Sequence, residues 1–166
     1  MGKELKTNAM RILDRAGISY GLITYECDEF IDGIHVADQT GVPRELSYKT
    51  LLARGKSGAI YCYVLPVEKE IDLKAGARTA GEKSIEMLHV KEIQPVSGYV
   101  RGGVSPIGLK KPFPVFVEED ASIEELIYLS GGRRGTTLSL HPEDLVKVTG
   151  AKFAHFCRDE ESITEN

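Results

Sequence analysis

The sequence lacks a long apolar run, and this absence limits the class of protein. No stretch of its 166 residues approaches the roughly 18 consecutive apolar residues that a membrane-spanning helix needs. The first ten residues, MGKELKTNAM, contain no apolar core, so we expect no signal peptide. Hydrophobic residues make up 42% of the chain and charged residues 28%, which predicts a folded globular domain rather than a disordered chain.

Cysteine is also scarce. Cys27, Cys62 and Cys157 are odd in number and widely spaced, and no CxxC pair occurs. This pattern argues against both a disulfide framework and a structural zinc site. Cys62 and Cys157 lie within the apolar stretches AIYCYVLP and FAHFC, which predicts that both are buried. Together these features favour a location in the reducing cytoplasm.

Several well-known catalytic and nucleotide-binding motifs are missing. The chain contains no GxSxG or HExxH, which leaves serine and zinc hydrolases without support. It also contains no GxxxxGK[ST] and no GxGxxG, so neither a P-loop nor a dinucleotide fingerprint is present. The four histidines have no ligand spacing; they are His35, His89, His141 and His155. We therefore predict no metal ion and no cofactor.

The formal net charge of −4 argues at first against a nucleic-acid partner. However, residues 159–166 form an acidic tail with four carboxylates and no basic residue, so the remaining chain is neutral. A local basic face is therefore compatible with the total charge. We predict one domain over residues 1–158, followed by this solvated tail.

Hydrophobic spacing and turn residues predict many short elements. Helices are predicted after Thr7 up to Gly17, over 32–41, over 72–80, over 84–89, over IEEL after Ser122, and over HPEDLVKVTG. Strands are predicted at ISYGLITYE, SYKTLL, AIYCYVLP, PVFVEE, IYLS, TTLSL and FAHFC. Residues 97–111 are too rich in glycine and proline for regular structure and are predicted to form a long ordered loop or a broken strand. The alternation is not a regular βαβ rhythm, so we predict an α+β fold with a mixed, partly closed sheet surrounded by short helices.

Two residues on predicted strands are candidates for a site. Lys49 lies in SYKTLL and points away from the face that carries Tyr48 and Thr50. Taken alone, the local pattern favours a lysine at a sheet edge that reaches solvent. Tyr25 ends the strand ISYGLITYE, where its hydroxyl could bind a ligand, although a half-buried strand tyrosine is common.

Two glycine-rich loops are the other candidates. In VRGGVSPIGLKKP, the backbone N–H groups of Gly102 and Gly103 could bind a carbonyl or phosphate oxygen, and Ser105 adds a hydroxyl. Lys110 and Lys111 follow and could contact phosphates. The second loop, SGGRRG, contains Ser130, Gly131, Gly132, Arg133 and Arg134, and its arginines suit bidentate phosphate contacts. By itself, each loop could also be a surface turn with solvated charges.

In combination and order, these motifs resemble the YbaK/EbsC family of free-standing tRNA-editing domains, which is related to the insertion domain of bacterial prolyl-tRNA synthetase. The resemblance runs from about Thr7 to Arg158. It is carried by ISYGLITYE, SYKTLL, VLPVEKEIDLK, GYVRGGVSPIGLKK, YLSGGRRG and AKFAHFCR. It implies a barrel-like mixed sheet wrapped by helices, and deacylation of mischarged tRNA, with cysteine on tRNA(Pro) as the expected substrate.

The resemblance also implies roles for individual residues. The functional lysine of the family falls on Lys49 and its strand-end tyrosine on Tyr25. The loop that contacts the ester carbonyl falls on Gly102 and Gly103 with Ser105 beside it, and the serine before the second loop falls on Ser130. After SGGRRG this chain has Thr136 and Thr137, where some cysteine-specific members have an acidic residue.

The chemistry expected from the resemblance needs no protein nucleophile. A cysteinyl ester carries a thiol that can attack its own carbonyl, while the protein holds the ester and stabilises the oxyanion. Two alternatives stay open: a deacylase of Ala- or Ser-charged tRNA that uses water, and a non-catalytic regulator that binds RNA or a nucleotide. The expected partners are the acceptor end of tRNA and, through borrowed specificity, prolyl-tRNA synthetase.

Overall fold

The computed structural model describes residues 5–159, and the predicted tail lies outside this range except for Asp159. The helices are α1 (Asn8–Arg15), α2 (Gly33–Thr40), α3 (Leu73–Ala80), α4 (Val90–Ser97) and α5 (Pro142–Thr149). The strands are β1 (Gly21–Thr24), β2 (Tyr48–Gly55), β3 (Ile60–Pro66), β4 (Ile85–Met87), β5 (Val115–Glu118), β6 (Ile127–Ser130), β7 (Thr136–Leu140) and β8 (Lys152–Ala154). Short 3-10 turns occur at Arg44–Leu46 and Glu119–Ile123.

Local sequence explains where α1 begins and ends. The Thr7 side chain accepts a hydrogen bond of 3.2 Å from the Met10 N–H, which satisfies one of the unpaired donors at a helix start. Gly17 follows the last turn with φ of 72°, a left-handed conformation that glycine adopts without strain. The predicted cap and stop of this helix are therefore confirmed.

The strands form two sheets. The smaller sheet has the order β1-β7-β6 and is antiparallel throughout. The larger has the order β4-β2-β3-β5-β8, in which β4, β2 and β3 are antiparallel and β3, β5 and β8 are parallel. The mixed α+β class is confirmed. In the described part of the chain the sheets do not close into a barrel, but a single parallel bridge between Ser47 and Tyr128 connects them.

The larger sheet is buried on both faces. Alternate residues of β3 point to different cores: Cys62 and Val64 join a cluster between the two sheets, whereas Tyr63 and Leu65 join a cluster under α3. A strand covered on both sides needs a continuous apolar run, which is what AIYCYVLP provides. As predicted, Cys62 and Cys157 are buried, and all three cysteines are free thiols.

Two helix predictions were wrong, and one helix was missed. Residues 84–89 contain β4, which pairs with the last three residues of β2, so a free sheet edge overrides the local pattern. After Ser122 the chain ends a 3-10 turn and becomes extended at Glu124 instead of forming a helix. The helix missed from the sequence is α4, which carries Pro95 in its interior. No helix within residues 5–159 is long and apolar enough to cross a membrane.

Candidate active site

A cavity of about 280 Å³ lies where the two sheets meet. Its walls come from the start of β2, the end of β6, the start of β7, the beginning of α2 and the turn that carries Gly102. Four of the predicted site residues line it: Tyr25, Lys49, Gly102 and Ser130. Residues that are up to 105 positions apart by number therefore line one cavity.

The sheet pairing explains why the cavity forms beside Lys49. β4 covers β2 only at Ala53–Gly55, so the first half of β2 has an uncovered side. The start of α2 passes close by, because Gly33 has no side chain. A Cβ at Gly33 would lie 2.5 Å from Val67 Cγ1 and 3.9 Å from Lys49 Cβ, so a larger residue would push α2 away from the cavity wall.

Lys49 lines the cavity from a half-buried position on β2. Within residues 5–159, no hydrogen bond or ion pair engages its ammonium group. Several other charged groups on this fold are paired, as in the Arg44–Asp38 contact of 2.7 Å and the Lys69–Asp120 contact of 2.8 Å. An unpaired ammonium inside a cavity is the kind of group that a ligand oxygen can satisfy.

The two central glycines of the first loop have different environments. Gly102 lines the cavity with φ of 88°, and its N–H makes no hydrogen bond to any residue in the 5–159 range. Gly103 lies outside the cavity wall, and its N–H donates to the Val100 carbonyl over 2.8 Å. A Cβ at Gly103 would lie 2.8 Å from Arg133 Cα, so Gly103 lets the two glycine loops pack together. The free donor is therefore on Gly102, and Gly103 has a packing role.

The rest of the first loop leads away from the cavity. Ser105 is fully buried, and its hydroxyl oxygen accepts a hydrogen bond of 3.1 Å from the Ile107 N–H, which stabilises the turn. Lys110 donates from Nζ to the Pro95 carbonyl over 3.1 Å. Lys110 and Lys111 line a separate shallow surface cavity. The structure therefore does not bring Ser105, Lys110 or Lys111 together with Lys49.

The second loop is mainly a support for its neighbours. Ser130 lines the cavity and accepts a hydrogen bond of 3.1 Å from the Gly132 N–H. The Gly131 carbonyl accepts a hydrogen bond of 2.6 Å from the Thr7 hydroxyl. A Cβ at Gly132 would lie 2.9 Å from Thr7 Cβ. Gly131 and Gly132 therefore pack against the start of α1 and are not part of the cavity wall.

The two arginines of this loop make specific contacts inside the protein. Arg133 donates to the Leu5 carbonyl over 2.5 Å and to Thr136 Oγ1 over 3.3 Å. Arg134 donates from Nε to the Arg101 carbonyl over 2.7 Å. Arg134 therefore lies beside the cavity mouth, whereas Arg133 tethers the N-terminal segment.

Tyr25 follows β1, and its N–H donates to the Gly135 carbonyl over 2.9 Å, which places the ring at the cavity wall. Burial raises the pKa of the Tyr25 hydroxyl, so this group stays protonated at neutral pH and can donate a hydrogen bond.

Sequence reasoning missed four further cavity residues: Phe30, Asp32, Arg101 and Thr137. Asp32 caps α2 by accepting from the His35 N–H over 2.9 Å, and Phe30 is an exposed aromatic just before that cap. A cap pattern of this type is readable from sequence, but it does not reveal that the helix start faces a cavity. Thr137 was noted only for its position after SGGRRG.

Potential metal ligands converge elsewhere. Ligand-type atoms of Glu118, Glu119 and His155 lie within 4.8 Å of one another at the edge of β5. The buried Glu118 already accepts hydrogen bonds from two backbone N–H groups and a contact of 2.6 Å from His155 Nδ1. These groups hold the carboxyl-terminal segment and do not reach the Lys49 cavity.

Comparison with known proteins identifies the class. The model of the aminoacyl-tRNA editing domain matches residues 34–148, so the chain belongs to this family. The family carries out proofreading by deacylation of aminoacyl-tRNA, and the matched range contains Lys49, Gly102 and Ser130.

Two individual relatives are similar to this chain, and one of them has a name that fits this class. A protein of Enterococcus faecalis named "Putative Cys-tRNA(Pro)/Cys-tRNA(Cys) deacylase EbsC" is 36% identical over 156 residues, which cover 93% of this chain and 95% of the relative. "Uncharacterized protein YwhH" of Bacillus subtilis is 27% identical over 124 residues, which cover 74% of this chain and 78% of that protein.

Solved structures support the fold. The hypothetical protein APE2540 superimposes with a TM-score of 0.82 at 24% identity, covering 91% of this chain and 99% of that one. A structure titled "a putative trans-editing enzyme for prolyl tRNA synthetase" superimposes with a TM-score of 0.80 at 22% identity, covering 94% of this chain and 100% of that one.

Proposed function

We propose that this protein removes a wrongly attached amino acid from tRNA in trans, with cysteine on tRNA(Pro) as its main substrate. One observation carries the proposal most directly. The Lys49 ammonium and the Gly102 N–H line the same cavity, and neither has an acceptor within residues 5–159. Two unsatisfied donors in one cavity suit the carbonyl and ribose oxygens of an aminoacyl ester.

In this proposal the Gly102 N–H donates to the ester carbonyl oxygen, where negative charge develops during reaction. Lys49 anchors the ester end and contributes positive charge to the same region. A lysine in this role does not have to lose a proton, so we do not assign it as a general base. Tyr25 and Ser130 line the same wall and would position the terminal nucleoside or the amino acid.

The nucleophile comes from the substrate. No cysteine or histidine lines the cavity in the described part of the chain, and Cys62 is completely buried. In a cysteinyl ester, the thiol sulfur forms a bond to the ester carbonyl carbon, and the bond from that carbon to the ribose oxygen breaks. The thiol proton goes to the departing ribose hydroxyl, which leaves a cyclic thiolactone and an uncharged tRNA. The protein contributes through orientation and oxyanion stabilisation.

The choice of cysteine is supported by the name of the relative that is 36% identical. Thr137, however, lines the cavity together with Ser130, so the wall offers hydroxyl groups that could also hold a water molecule. That observation favours a second candidate, deacylation of Ala- or Ser-charged tRNA(Pro) by water.

A panel of Cys-, Ala- and Ser-tRNA(Pro) with purified protein distinguishes these candidates. The main proposal predicts fast release from Cys-tRNA(Pro) only, because the other two substrates lack a thiol. Faster release of alanine or serine would favour the water mechanism. Binding of tRNA without release from any of the three would instead support a regulator.

A variant without cysteines tests the source of the thiol. Cys27→Ser, Cys62→Ala and Cys157→Ala together are expected to leave the rate on Cys-tRNA(Pro) unchanged, assayed well below the unfolding temperature. Loss of activity in a variant that is still folded by circular dichroism would contradict a substrate thiol.

We also propose that selection of tRNA(Pro) is borrowed from prolyl-tRNA synthetase. The purified domain alone should deacylate Cys-tRNA(Pro) and Cys-tRNA(Cys) at similar rates. Strong preference for tRNA(Pro) by the isolated domain would contradict this part of the proposal.

A further inference from the structure

Arg101 lies at the mouth of the Lys49 cavity, where its guanidinium stacks on an aromatic ring. Its guanidinium lies 3.8 Å from the centre of the Phe30 ring, and both residues are exposed and line the cavity. Within residues 5–159, this guanidinium has no hydrogen bond and no ion pair. The stack fixes the side chain and occupies one face of the guanidinium, while its N–H groups stay available at the edge.

A second arginine increases the positive charge at the same place. Arg134 donates to the backbone carbonyl of Arg101 over 2.7 Å, and its Nε lies 3.3 Å from the point where a Cβ on Gly102 would stand. No acidic side chain of the described residues pairs with either guanidinium. Two cations close together without an anion repel each other, so an anionic ligand would gain from binding here.

One carboxylate, that of Asp32, lines the same cavity, and one of its oxygens caps α2. Asp32 Oδ1 accepts from the His35 N–H over 2.9 Å and contacts His35 Nδ1 over 2.7 Å. Asp32 pairs with neither guanidinium, so Arg101 and Arg134 make their side of the mouth cationic, next to the Gly102 N–H.

The chemistry of the substrate identifies the anion. An amino acid joined to tRNA as an ester carries an ammonium group and no carboxylate, so the only anions near the reacting end are phosphodiesters. If the ester carbonyl lies at Gly102 inside the cavity, the rest of the RNA, on the 5′ side of the aminoacylated nucleotide, leaves through the mouth where Arg101 lies. We propose that Arg101, held by stacking on Phe30, binds the phosphodiester on the 5′ side of the aminoacylated nucleotide. This inference rests on the proposed function.

Arg101→Gln tests the inference with two substrates of the same amino acid. The first is aminoacylated tRNA, and the second is the aminoacyl ester of adenosine, which has no phosphate. We expect kcat/KM on charged tRNA to fall about tenfold or more, because a charge-assisted bidentate contact is lost. On the adenosine ester we expect less than about a twofold change. Arg101→Lys should be more active on tRNA than Arg101→Gln, because lysine keeps the positive charge but lacks the bidentate donor geometry of the guanidinium.

Arg15→Gln is the matched control, because it removes one exposed guanidinium from the end of α1 and should change neither rate. Equal losses by Arg101→Gln on both substrates would place Arg101 against the base, the ribose or the amino acid and overturn the inference. Unchanged rates on both substrates would overturn it as well.

Binding of an uncharged RNA minihelix ending in CCA separates this inference from the proposed function. For wild type and Arg101→Gln, the affinity is measured as a function of salt. Loss of one phosphate contact in a single strand should reduce the slope of log K against log salt by about 0.7. A reduced slope in a protein that releases no amino acid would support the phosphate contact and refute the deacylase. An unchanged slope in an active deacylase would refute the phosphate contact alone.

Discussion

Two charged regions of this molecule differ in whether other residues provide hydrogen-bond or ion-pair partners for the charged side chains. At the edge of β5, Glu118, His155 and Asp159 form what we term the carboxyl-terminal clamp. Glu118 is only 1% exposed, and its carboxylate accepts hydrogen bonds from the backbone N–H groups of Phe156 and Cys157 over 2.9 and 3.1 Å. Its second oxygen contacts His155 Nδ1 over 2.6 Å.

The cavity shows the opposite arrangement. Lys49 and Arg101 line it, and neither side chain has an ion-pair or hydrogen-bond partner within residues 5–159. Charges that hold the fold are paired, because a buried unpaired charge would be too costly. Charges left without partners at a cavity contribute little to folding and remain available to a ligand. Substitutions in the clamp should therefore change stability, and substitutions in the cavity should change activity.

The largest effect on stability is expected in the clamp. Glu118→Ala removes the acceptor for two buried N–H groups and the partner of His155, so unfolding should become easier by about 3 to 5 kcal/mol in urea titrations. Glu119→Ala, next to it but exposed, is the matched control and should change little. A loss below about 1 kcal/mol for Glu118→Ala would show that the clamp does not hold the carboxyl-terminal segment.

A smaller loss is expected where the two glycine loops touch. In Gly103→Ala the new Cβ would lie 2.8 Å from Arg133 Cα, and backbone cannot move as a side chain can. Overpacking of this kind costs about 1 to 3 kcal/mol. In the control Gly21→Ala, the new Cβ meets only the Ser139 hydroxyl, which can rotate away. Equal thermal stability of the two variants would mean that the loops are not in firm contact.

The clamp should also make stability depend on pH. Hydrogen bonds to Glu118 and Asp159 raise the pKa of His155 from 6.5 to about 9, with Glu119 also 4.0 Å away. Protonated His155 therefore stabilises the fold fully below pH 6.5, and this contribution is lost as the pH rises through about 9.

Because the His155 side chain is 48% exposed, its contribution should be small. Urea titrations of wild type and His155→Gln between pH 6 and 10 should show a difference that shrinks toward pH 10. A difference that grows with pH would contradict the ion pair.

The smallest effect on stability is expected at Lys49. Lys49→Met keeps the length of the side chain and removes a charge that has no partner within residues 5–159, so the free energy of unfolding should change by no more than about 0.5 kcal/mol. Lys56→Met, on the exposed β2–β3 turn, provides the matched control. A large loss of stability for Lys49→Met would show that Lys49 is structural.

Much of this site could be predicted from the sequence because its parts lie at the ends of strands. Tyr25, Lys49 and Ser130 were found at such ends, and each lines the cavity. Arg101 and Phe30 were missed, because their stack joins two loops that are 71 positions apart by number and neither loop has a periodic pattern. A pairwise contact between loops leaves no local signal.

The loops also show that a glycine pattern does not distinguish a binding role from a packing role. Of the four glycines predicted to contact substrate, Gly102 alone lines the cavity, while the others allow backbone or side chains to approach closely. Both roles require a missing side chain, so the sequence does not separate them. The segment that forms β4 is predicted as a helix from its local pattern. It is a strand because it pairs with the edge of β2, and that edge exists only in the folded sheet.

The most direct test of the account is the rate of release from Cys-tRNA(Pro) by wild type and by Lys49→Met, at equal concentrations of folded protein. Loss of an electrostatic group at the reacting ester predicts a fall in kcat/KM of about 100-fold, with Lys56→Met unchanged. Equal rates for wild type and Lys49→Met would contradict the account, because the unpaired lysine would then have no part in the reaction.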